Sequence, residues 1–122
     1  MNIHESAEDY LETILILCEE HGSARSVDIA ARLVVTKPSV SFAMKRLREN
    51  GYIYMGDDNR ITLTEAGQTI ALRILERHRL LTDFLTRLGV SEETARVDAC
   101  KIEHDLSDET FTAIQRHVEK YS

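Results

Sequence analysis

Two β-prone segments interrupt a chain that otherwise follows the periodicity of α-helices. Residues 52–55 and 61–64 are rich in isoleucine, tyrosine and threonine, and the Gly-Asp-Asp-Asn sequence between them is typical of a turn. A β-hairpin is therefore predicted here, with helices on both sides. The chain has 122 residues, of which 43% are hydrophobic, enough for one compact core or two very small domains. These features predict a mainly α fold.

Capping residues divide the part of the chain before the hairpin into three predicted helices. Ser6, followed three residues later by Asp9, resembles the capping box of the first helix, and Gly22 is well placed to end it. Ser26 is predicted to cap the second helix, and Thr36 the third. The second and third helices are short and joined by a tight turn. Together with the hairpin they predict a winged helix-turn-helix, a motif that binds DNA.

The third predicted helix is the recognition helix of this motif. The first residues of a recognition helix contact base edges, and cations further along it or on the wing contact phosphates. A helix pair with a hairpin is also compatible with a packing unit whose basic residues are simply solvated. The candidate DNA-binding residues are Thr36, Lys37, Pro38, Ser39, Ser41, Lys45, Arg46 and, at the tip of the wing, Arg60.

The charge distribution favours a nucleic-acid partner, although the net charge of the chain is −6. Residues 1–24 carry six acidic side chains and no lysine or arginine. Residues 25–64 carry seven basic side chains against four acidic ones, and residues 65–122 carry eight against eleven. Because clustered charge makes the electrostatic footprint of a protein, the basic middle segment predicts a local anion-binding surface.

The chain after the hairpin is predicted to be entirely helical. A long apolar helix is predicted from Glu65 to about Leu88, and Gly89 is placed to end it. Ser91 and Ser107 each precede two acidic residues, so each is predicted to cap a further helix whose first turn suits the helix dipole. The second half therefore contains three predicted helices.

The predicted domain boundary follows the hairpin. Residues 1–64 form the predicted winged helix-turn-helix DNA-binding domain, and residues 65–122 form an all-helical domain. The longest apolar run, residues 14–18, is too short to cross a bilayer, and residues 1–5 show no export signal. The two cysteines are too few for a disulfide framework. Together these features predict a cytoplasmic protein with no membrane partner.

Side chains that bind metals recur at helical spacing in three of the predicted helices. Cys100, Glu103 and His104 are predicted to share one helix face, because they are three and four residues apart. A thiolate, a carboxylate and an imidazole at that spacing can bind one divalent cation. Taken singly, each type has a common alternative role, such as a solvated carboxylate or a small core cysteine. The full set of candidate ligands is Asp9, Glu12, His78, Cys100, Glu103 and His104, enough for one ion or two if the helices converge.

The order of these residues resembles the diphtheria-toxin-repressor family of metal-dependent transcriptional repressors. The resemblance lies in residues 8–14 (EDYLETI), in Arg77 and His78, and in residues 100–104 (CKIEH), set around the winged helix. It covers nearly the whole chain, whose length is closer to that of the short, manganese-responsive branch than to that of members with an added SH3-like domain. The fold of the family implies a DNA-binding domain followed by a helical metal-binding and dimerisation domain.

The resemblance implies a mixed set of metal ligands. All the candidate ligands except Cys100 fall on positions that bind metal in the manganese-type members. Those members usually have glutamate at the position of Cys100, whereas cysteine there is typical of the iron-type repressors, which tend to have methionine at the position of Asp9. The thiolate favours Fe(II), Co(II) or Zn(II), and the carboxylates favour Mn(II). The implied cofactor is therefore Mn(II) or Fe(II), with one or two ions per subunit.

The resemblance implies the function of a metal-dependent transcriptional repressor. Such a protein binds double-stranded operator DNA as a homodimer when Mn(II) or Fe(II) is bound, and controls metal-homeostasis genes. An apolar stripe of Phe111, Ile114 and Val118 either forms the dimer surface or is buried within the subunit. The alternative function is a winged-helix regulator that does not respond to metals. Enzymatic activity is not expected, because the sequence has no His-Glu-x-x-His motif, phosphate loop or nucleophile elbow.

Overall fold

The computed structural model describes residues 5–121, and most of this range is helical. It confirms the predicted mainly α fold with a small β-hairpin. Residues 1–4, part of the segment predicted to lack an export signal, lie outside the described residues. In chain order the elements are α1 (Glu5–His21), α2 (Ser26–Leu33), α3 (Lys37–Glu49), β1 (Ile53–Met55), β2 (Ile61–Leu63), α4 (Glu65–Arg87), α5 (Glu92–Ile102) and α6 (Asp108–Lys120).

The chain separates into two compact units. The first unit ends at Leu72 and the second begins at Arg73, so the boundary falls inside α4. The first unit holds α1, α2, α3 and the hairpin, and the second holds α5 and α6. Among residues 5–121, no helix combines the length and the apolar composition needed to span a bilayer.

The first unit is a helix-turn-helix with a wing. The strands β1 and β2 pair antiparallel, with Tyr54 opposite Thr62, and α1 packs against α2 and β2. The backbones of Ala24 and Ile61 exchange two hydrogen bonds, of 2.9 and 2.8 Å, which attach the segment after α1 to the wing. Fully buried apolar side chains of this unit include Leu11 and Ile14 of α1, Ile29 of α2, Val40 of α3 and Ile61 of β2.

Backbone contacts hold the end of the wing against the start of α4. A Cβ atom at Gly67 would lie 2.0 Å from the carbonyl oxygen of Tyr52, so only glycine fits at this close approach. The hydroxyl of Thr64 donates to the carbonyl of Gly51 at 2.7 Å and accepts from the N–H of Gly67 at 3.2 Å. The wing is therefore tied to α4 by a close backbone approach at Gly67 and by the two hydrogen bonds of Thr64.

Local capping signals identify three helix starts correctly and two incorrectly. Thr36, Ser91 and Ser107 are the N-caps of α3, α5 and α6, and each accepts a hydrogen bond from the N–H three residues later. The predictions for Ser6 and Ser26 are wrong, because both residues already lie inside their helices. An N-cap needs a non-helical backbone, and at α2 it is the residue before Ser26 that has one, with φ −121° and ψ 147°.

The second unit has a small core supplied by all three of its helical segments. Small alanines are the buried apolar residues of α5, whereas α4 supplies larger aliphatic side chains. Val118 of α6 is also buried, so this part of the apolar stripe on the last helix is accounted for within the subunit. The buried apolar residues of the unit are Ile74, Leu75, Leu81, Ala95, Ala99 and Val118.

Backbone strain is stored at the end of α2, within the helix-turn-helix. Val34 has φ 55° and ψ 51°, a left-handed conformation that a β-branched residue rarely adopts. Val34 is 89% exposed, so little packing compensates for the strain.

We expect Val34→Asn to stabilise the protein by about 1 kcal/mol, because asparagine tolerates this conformation. Urea denaturation followed by circular dichroism measures the change.

Val35→Asn is the matched control for this substitution. Val35 is the next residue, is also exposed, and does not have a positive φ. The control should therefore leave the free energy of unfolding unchanged or lower it slightly. A Val34→Asn variant that is no more stable than the wild type would contradict the assignment of strain to Val34.

Candidate DNA-binding surface and metal centre

The recognition helix α3 separates its apolar residues from its polar ones. Val40, Met44 and Leu47 are buried against the rest of the unit, at the spacing of one helix face. The hydroxyl of Thr36 caps the helix and donates a 2.8 Å hydrogen bond to Ser39. All the residues predicted to bind DNA are exposed in the structure, namely Thr36, Lys37, Pro38, Ser39, Ser41, Lys45, Arg46 and Arg60.

A basic groove of about 550 Å³ runs between α3 and the wing. Arg25, Lys45 and Arg48 line it, together with Asp58 and Asn59 of the wing turn. Three cations against one carboxylate make this groove suitable for an anion such as a DNA phosphate. Arg25 is absent from the residues predicted above, because charge clustering does not show which basic side chains of the middle segment face the wing.

Two of the predicted DNA-binding cations have partners within the unit. The guanidinium of Arg60 forms a 3.1 Å ion pair with Asp58, and both side chains are largely exposed. The guanidinium of Arg46 lies 5.7 Å from the ring centre of the exposed Phe42. Exposed ion pairs contribute about 0–1 kcal/mol. A phosphate can therefore compete for Arg60 at little cost.

In the second unit, a fully buried carboxylate lies between two imidazoles. Glu103 is 0% exposed. Its Oε2 lies 2.9 Å from Nδ1 of His78, and its Oε1 lies 3.4 Å from Nε2 of His104. The second contact does not have hydrogen-bond geometry, and Oε1 accepts no hydrogen bond from the described residues. A buried charge is expensive unless it is fully compensated, so Oε1 is an incompletely satisfied acceptor.

The predicted helix face of Cys100, Glu103 and His104 is only partly correct. Helix α5 ends at Ile102, Glu103 is its C-cap with helical dihedrals, and His104 lies in the turn that follows. The prediction is wrong for His104 because the chain leaves the helix before that residue. The turn nevertheless directs the His104 imidazole to the same carboxylate. Cys100 is exposed on α5, and its Sγ lies within 4.8 Å of a carboxylate oxygen of Glu103.

The residues of this unit fit a divalent metal ion. Two imidazole nitrogens, a carboxylate and a thiol are the donor types that bind first-row transition metals. The buried Oε1 of Glu103 has no hydrogen-bond donor among the described residues, which is the state expected of an oxygen that accepts a cation instead. The remaining candidate ligands, Asp9 and Glu12, are partly buried on α1 in the first unit.

Comparison with known proteins extends over both units. The model of the iron-dependent repressor N-terminal DNA-binding domain matches residues 2–59, and that of the repressor metal-binding and dimerisation domain matches residues 64–122. The transcriptional regulator MntR of Escherichia coli O6:H1 is 43% identical over 117 residues, which cover 96% of this chain and 76% of that protein. The chain belongs to the iron-dependent repressor family.

Two further proteins are similar to this chain, one in sequence and one in structure. An uncharacterised HTH-type regulator of Methanocaldococcus jannaschii is 39% identical over 119 residues, covering 96% of this chain and 95% of that protein. A manganese-dependent transcriptional repressor in complex with manganese has a TM-score of 0.85 and 30% identity, and the match covers 93% of this chain and 52% of that one. The chain thus spans about half the length of that solved repressor.

These matches confirm the resemblance inferred from the sequence. At the level of the family they also confirm the prediction of a metal-dependent transcriptional repressor. The assignment of individual ligands and DNA contacts stays a prediction.

The two cysteines of this family member differ in their surroundings. The thiol of Cys18 is partly buried on α1 and donates a 3.7 Å hydrogen bond to the carbonyl of Ile61. Burial raises the pKa of the Cys18 thiol, because it disfavours the charged thiolate. Cys100 is exposed.

We expect iodoacetamide to alkylate Cys100 faster than Cys18 in the metal-free protein at pH 8. The thiolate is the nucleophile, and a raised pKa lowers its concentration at any pH below that pKa. Labelling of Cys18 should accelerate as the pH is raised further. Mass spectrometry of peptides after timed quenching measures both alkylation rates. If Cys100 still reacts faster than Cys18 in urea, where neither thiol is buried, burial is not the cause of the difference in rate.

Proposed function

We propose that this chain is a repressor that binds operator DNA as a homodimer when Mn(II) or Fe(II) occupies its metal centre, and so controls metal-homeostasis genes in the cytoplasm. The DNA-binding domain is residues 1–64, and the metal-binding and dimerisation domain is residues 65–122. The observation that carries the proposal is the buried carboxylate of Glu103, which lies between two imidazoles with one oxygen that accepts no hydrogen bond from the described residues. The proposed metal ligands are Asp9, Glu12, His78, Cys100, Glu103 and His104.

Repulsion between the carboxylates among the proposed ligands would make their arrangement depend on a bound cation. The carboxylates of Asp9, Glu12 and Glu103 repel one another wherever they approach, so they favour a separated arrangement of the residues that carry them. A divalent ion supplies the positive charge that reverses this repulsion. Asp9 and Glu12 would hold the ion together with His78 and Glu103.

Helix α1 offers a route from these ligands to the DNA-binding surface. It carries Asp9 and Glu12, and it packs against α2, β2 and α3 within the first unit. Ligation of α1 would therefore orient the recognition helix with respect to the second unit. In a homodimer, two recognition helices then meet successive major grooves of a palindromic operator.

The donor set supports either of two metals and one or two ions. The thiol of Cys100 favours Fe(II), and the carboxylates favour Mn(II). The similar repressor solved with manganese supports Mn(II) as the first metal to test. The six proposed ligands would be enough to hold one ion or two.

A regulator that does not respond to metals is the second candidate function. The 2.9 Å contact of His78 with Glu103 favours it, because a protonated His78 would compensate the carboxylate without any metal. The two functions differ in one measurable property, the dependence of DNA affinity on the metal.

We expect Mn(II) to raise DNA affinity relative to EDTA by roughly 5- to 150-fold, the usual range for coupled sites. The probe is a library of random-sequence duplexes, retained on nitrocellulose by the full chain in MnCl2 or in EDTA. Glu103→Gln should remove the metal effect, because it deletes the buried charge. Glu109→Gln, at an exposed glutamate of α6, is the control and should keep it.

The outcomes of this experiment separate the two functions. Equal retention in MnCl2 and in EDTA, repeated with Fe(II) under anaerobic conditions, would exclude a metal-dependent repressor and leave the second candidate. A metal effect that survives Glu103→Gln would place the metal centre elsewhere in the chain.

We expect the basic groove to bind a DNA phosphate, and a substitution of Arg25 tests this expectation. Arg25→Ala should weaken binding to all duplexes alike and lower the slope of log affinity against log salt by about 1, the effect of losing one phosphate contact. The matched control is Arg32→Ala, which also removes one positive charge. Arg32 lies in α2, pairs with Glu20 at 3.1 Å and does not line the groove. Filter binding at four salt concentrations should therefore show a much smaller change for Arg32→Ala. Equal losses would mean that only the net charge matters.

A further inference from the structure

Arg77 of α4 is a buried cation that binds the turn carrying two proposed metal ligands. Only 5% of the residue is exposed. Its Nη1 donates to the backbone carbonyls of Glu103 at 3.1 Å and Leu106 at 2.8 Å. Its Nη2 donates to the carboxylate of Asp108, the first residue of α6. One guanidinium therefore joins α4 to the end of α5, the following turn and the start of α6.

These contacts and an aromatic ring compensate the buried guanidinium only in part, because its Nε has no hydrogen-bond partner among the described residues. The guanidinium carbon lies 5.0 Å from the ring centre of Phe111, a distance typical of a cation–π contact. The side chain of Asp108 is 86% exposed, so the ion pair is not what requires a buried arginine. The two carbonyls lie in the connection between α5 and α6 and both accept from Nη1, whereas Nη2 binds Asp108, so the fork is what joins this connection to the start of α6.

We propose that Arg77 is a positioning residue for the metal centre, which it serves by holding residues 103–107 in place. This inference rests on the proposed function. Glu103 is held at two points from neighbouring positions of α4: Arg77 binds its backbone carbonyl, and His78 contacts its carboxylate. Arg77 cannot itself be a ligand, because a guanidinium has no acceptor.

The forked shape of arginine is what this role requires. Lysine would keep the positive charge, but its three N–H donors lie on one nitrogen, which cannot occupy the positions of both Nη1 and Nη2, and an ammonium does not stack on a ring as a planar guanidinium does. Without the fork, the Glu103 carbonyl and the start of α6 cannot both be bound. The carboxylate of Glu103 and the imidazole of His104 would then lose their fixed positions relative to His78. We therefore expect Arg77→Lys to disturb the positions of Glu103 and His104, although the substitution keeps the positive charge.

The test compares Arg77→Lys with Arg79→Lys in the 122-residue chain. Arg79 is exposed two residues along the same helix, and the substitution conserves its charge. The first readout uses the metal-free protein: ¹⁵N chemical shifts of the His78 and His104 rings report the two contacts to Glu103. The second uses Co(II) alone as the probe, and measures the affinity and the visible absorption bands that depend on coordination geometry. Urea denaturation reports stability.

We expect Arg77→Lys to shift both ring signals, to change the Co(II) bands and to weaken Co(II) binding by roughly 10- to 100-fold, the usual effect of losing a residue that orients ligands. Arg79→Lys should match the wild type in all three. An Arg77→Lys variant that is less stable in urea but keeps the wild-type ring signals and Co(II) spectrum would overturn the proposal and make Arg77 a purely structural residue.

Two further results would still test the proposal if the main comparison fails. If Arg77→Lys does not fold, Asp108→Ala removes only the exposed end of the network; it should move the same ring signals by a smaller amount, and unchanged signals would overturn the proposal. If the wild type binds neither Co(II) nor Mn(II), the proposed function fails. The ring signals of the metal-free variants then still decide whether Arg77 positions Glu103.

Discussion

The burial of the Glu103 carboxylate is the constraint on which the second unit depends. Moving a carboxylate out of water costs several kcal/mol even in a relaxed protein, and the described neighbours return only part of this. His78 and His104 face its two oxygens, but only the contact of His78 is as short as a hydrogen bond. A carboxylate so placed favours whichever positive charge completes its surroundings, a proton shared with an imidazole or a metal ion.

Arg77 and His78 contact different parts of Glu103 because they occupy adjacent positions on α4. Neighbouring residues of a helix point about 100° apart, so one side chain reaches the backbone of Glu103 while the other reaches its carboxylate. The buried arginine therefore stabilises the connection between α5 and α6 without neutralising the carboxylate. The carboxylate therefore faces the two imidazoles, and its Oε1 still accepts no hydrogen bond from the described residues.

Short-range signals explain what the sequence predicted well. The caps at Thr36, Ser91 and Ser107 depend on contacts three residues apart, and the hairpin turn depends on four residues, so both are visible in the sequence. The same reasoning fails at Ser26, because the choice between two adjacent helix starts depends on how α2 meets its neighbours. Local sequence patterns could not assign the roles of Arg25 and Arg77, since Arg25 lines its groove with residues of α3 and the wing, and Arg77 binds the carbonyl of Glu103, 26 residues away.

By itself the sequence determined the helical order, the wing, the basic middle segment and the types of side chain available to a metal, because periodicity, turn chemistry and charge are properties of neighbouring residues. Only the tertiary structure decided that Glu103 is fully buried, that His104 reaches it from a turn and not from a helix, and that Arg77 holds that turn. Burial and long-range hydrogen bonds arise from the packing of α4 with the chain around residues 103–108, and no local pattern in the sequence specifies that packing.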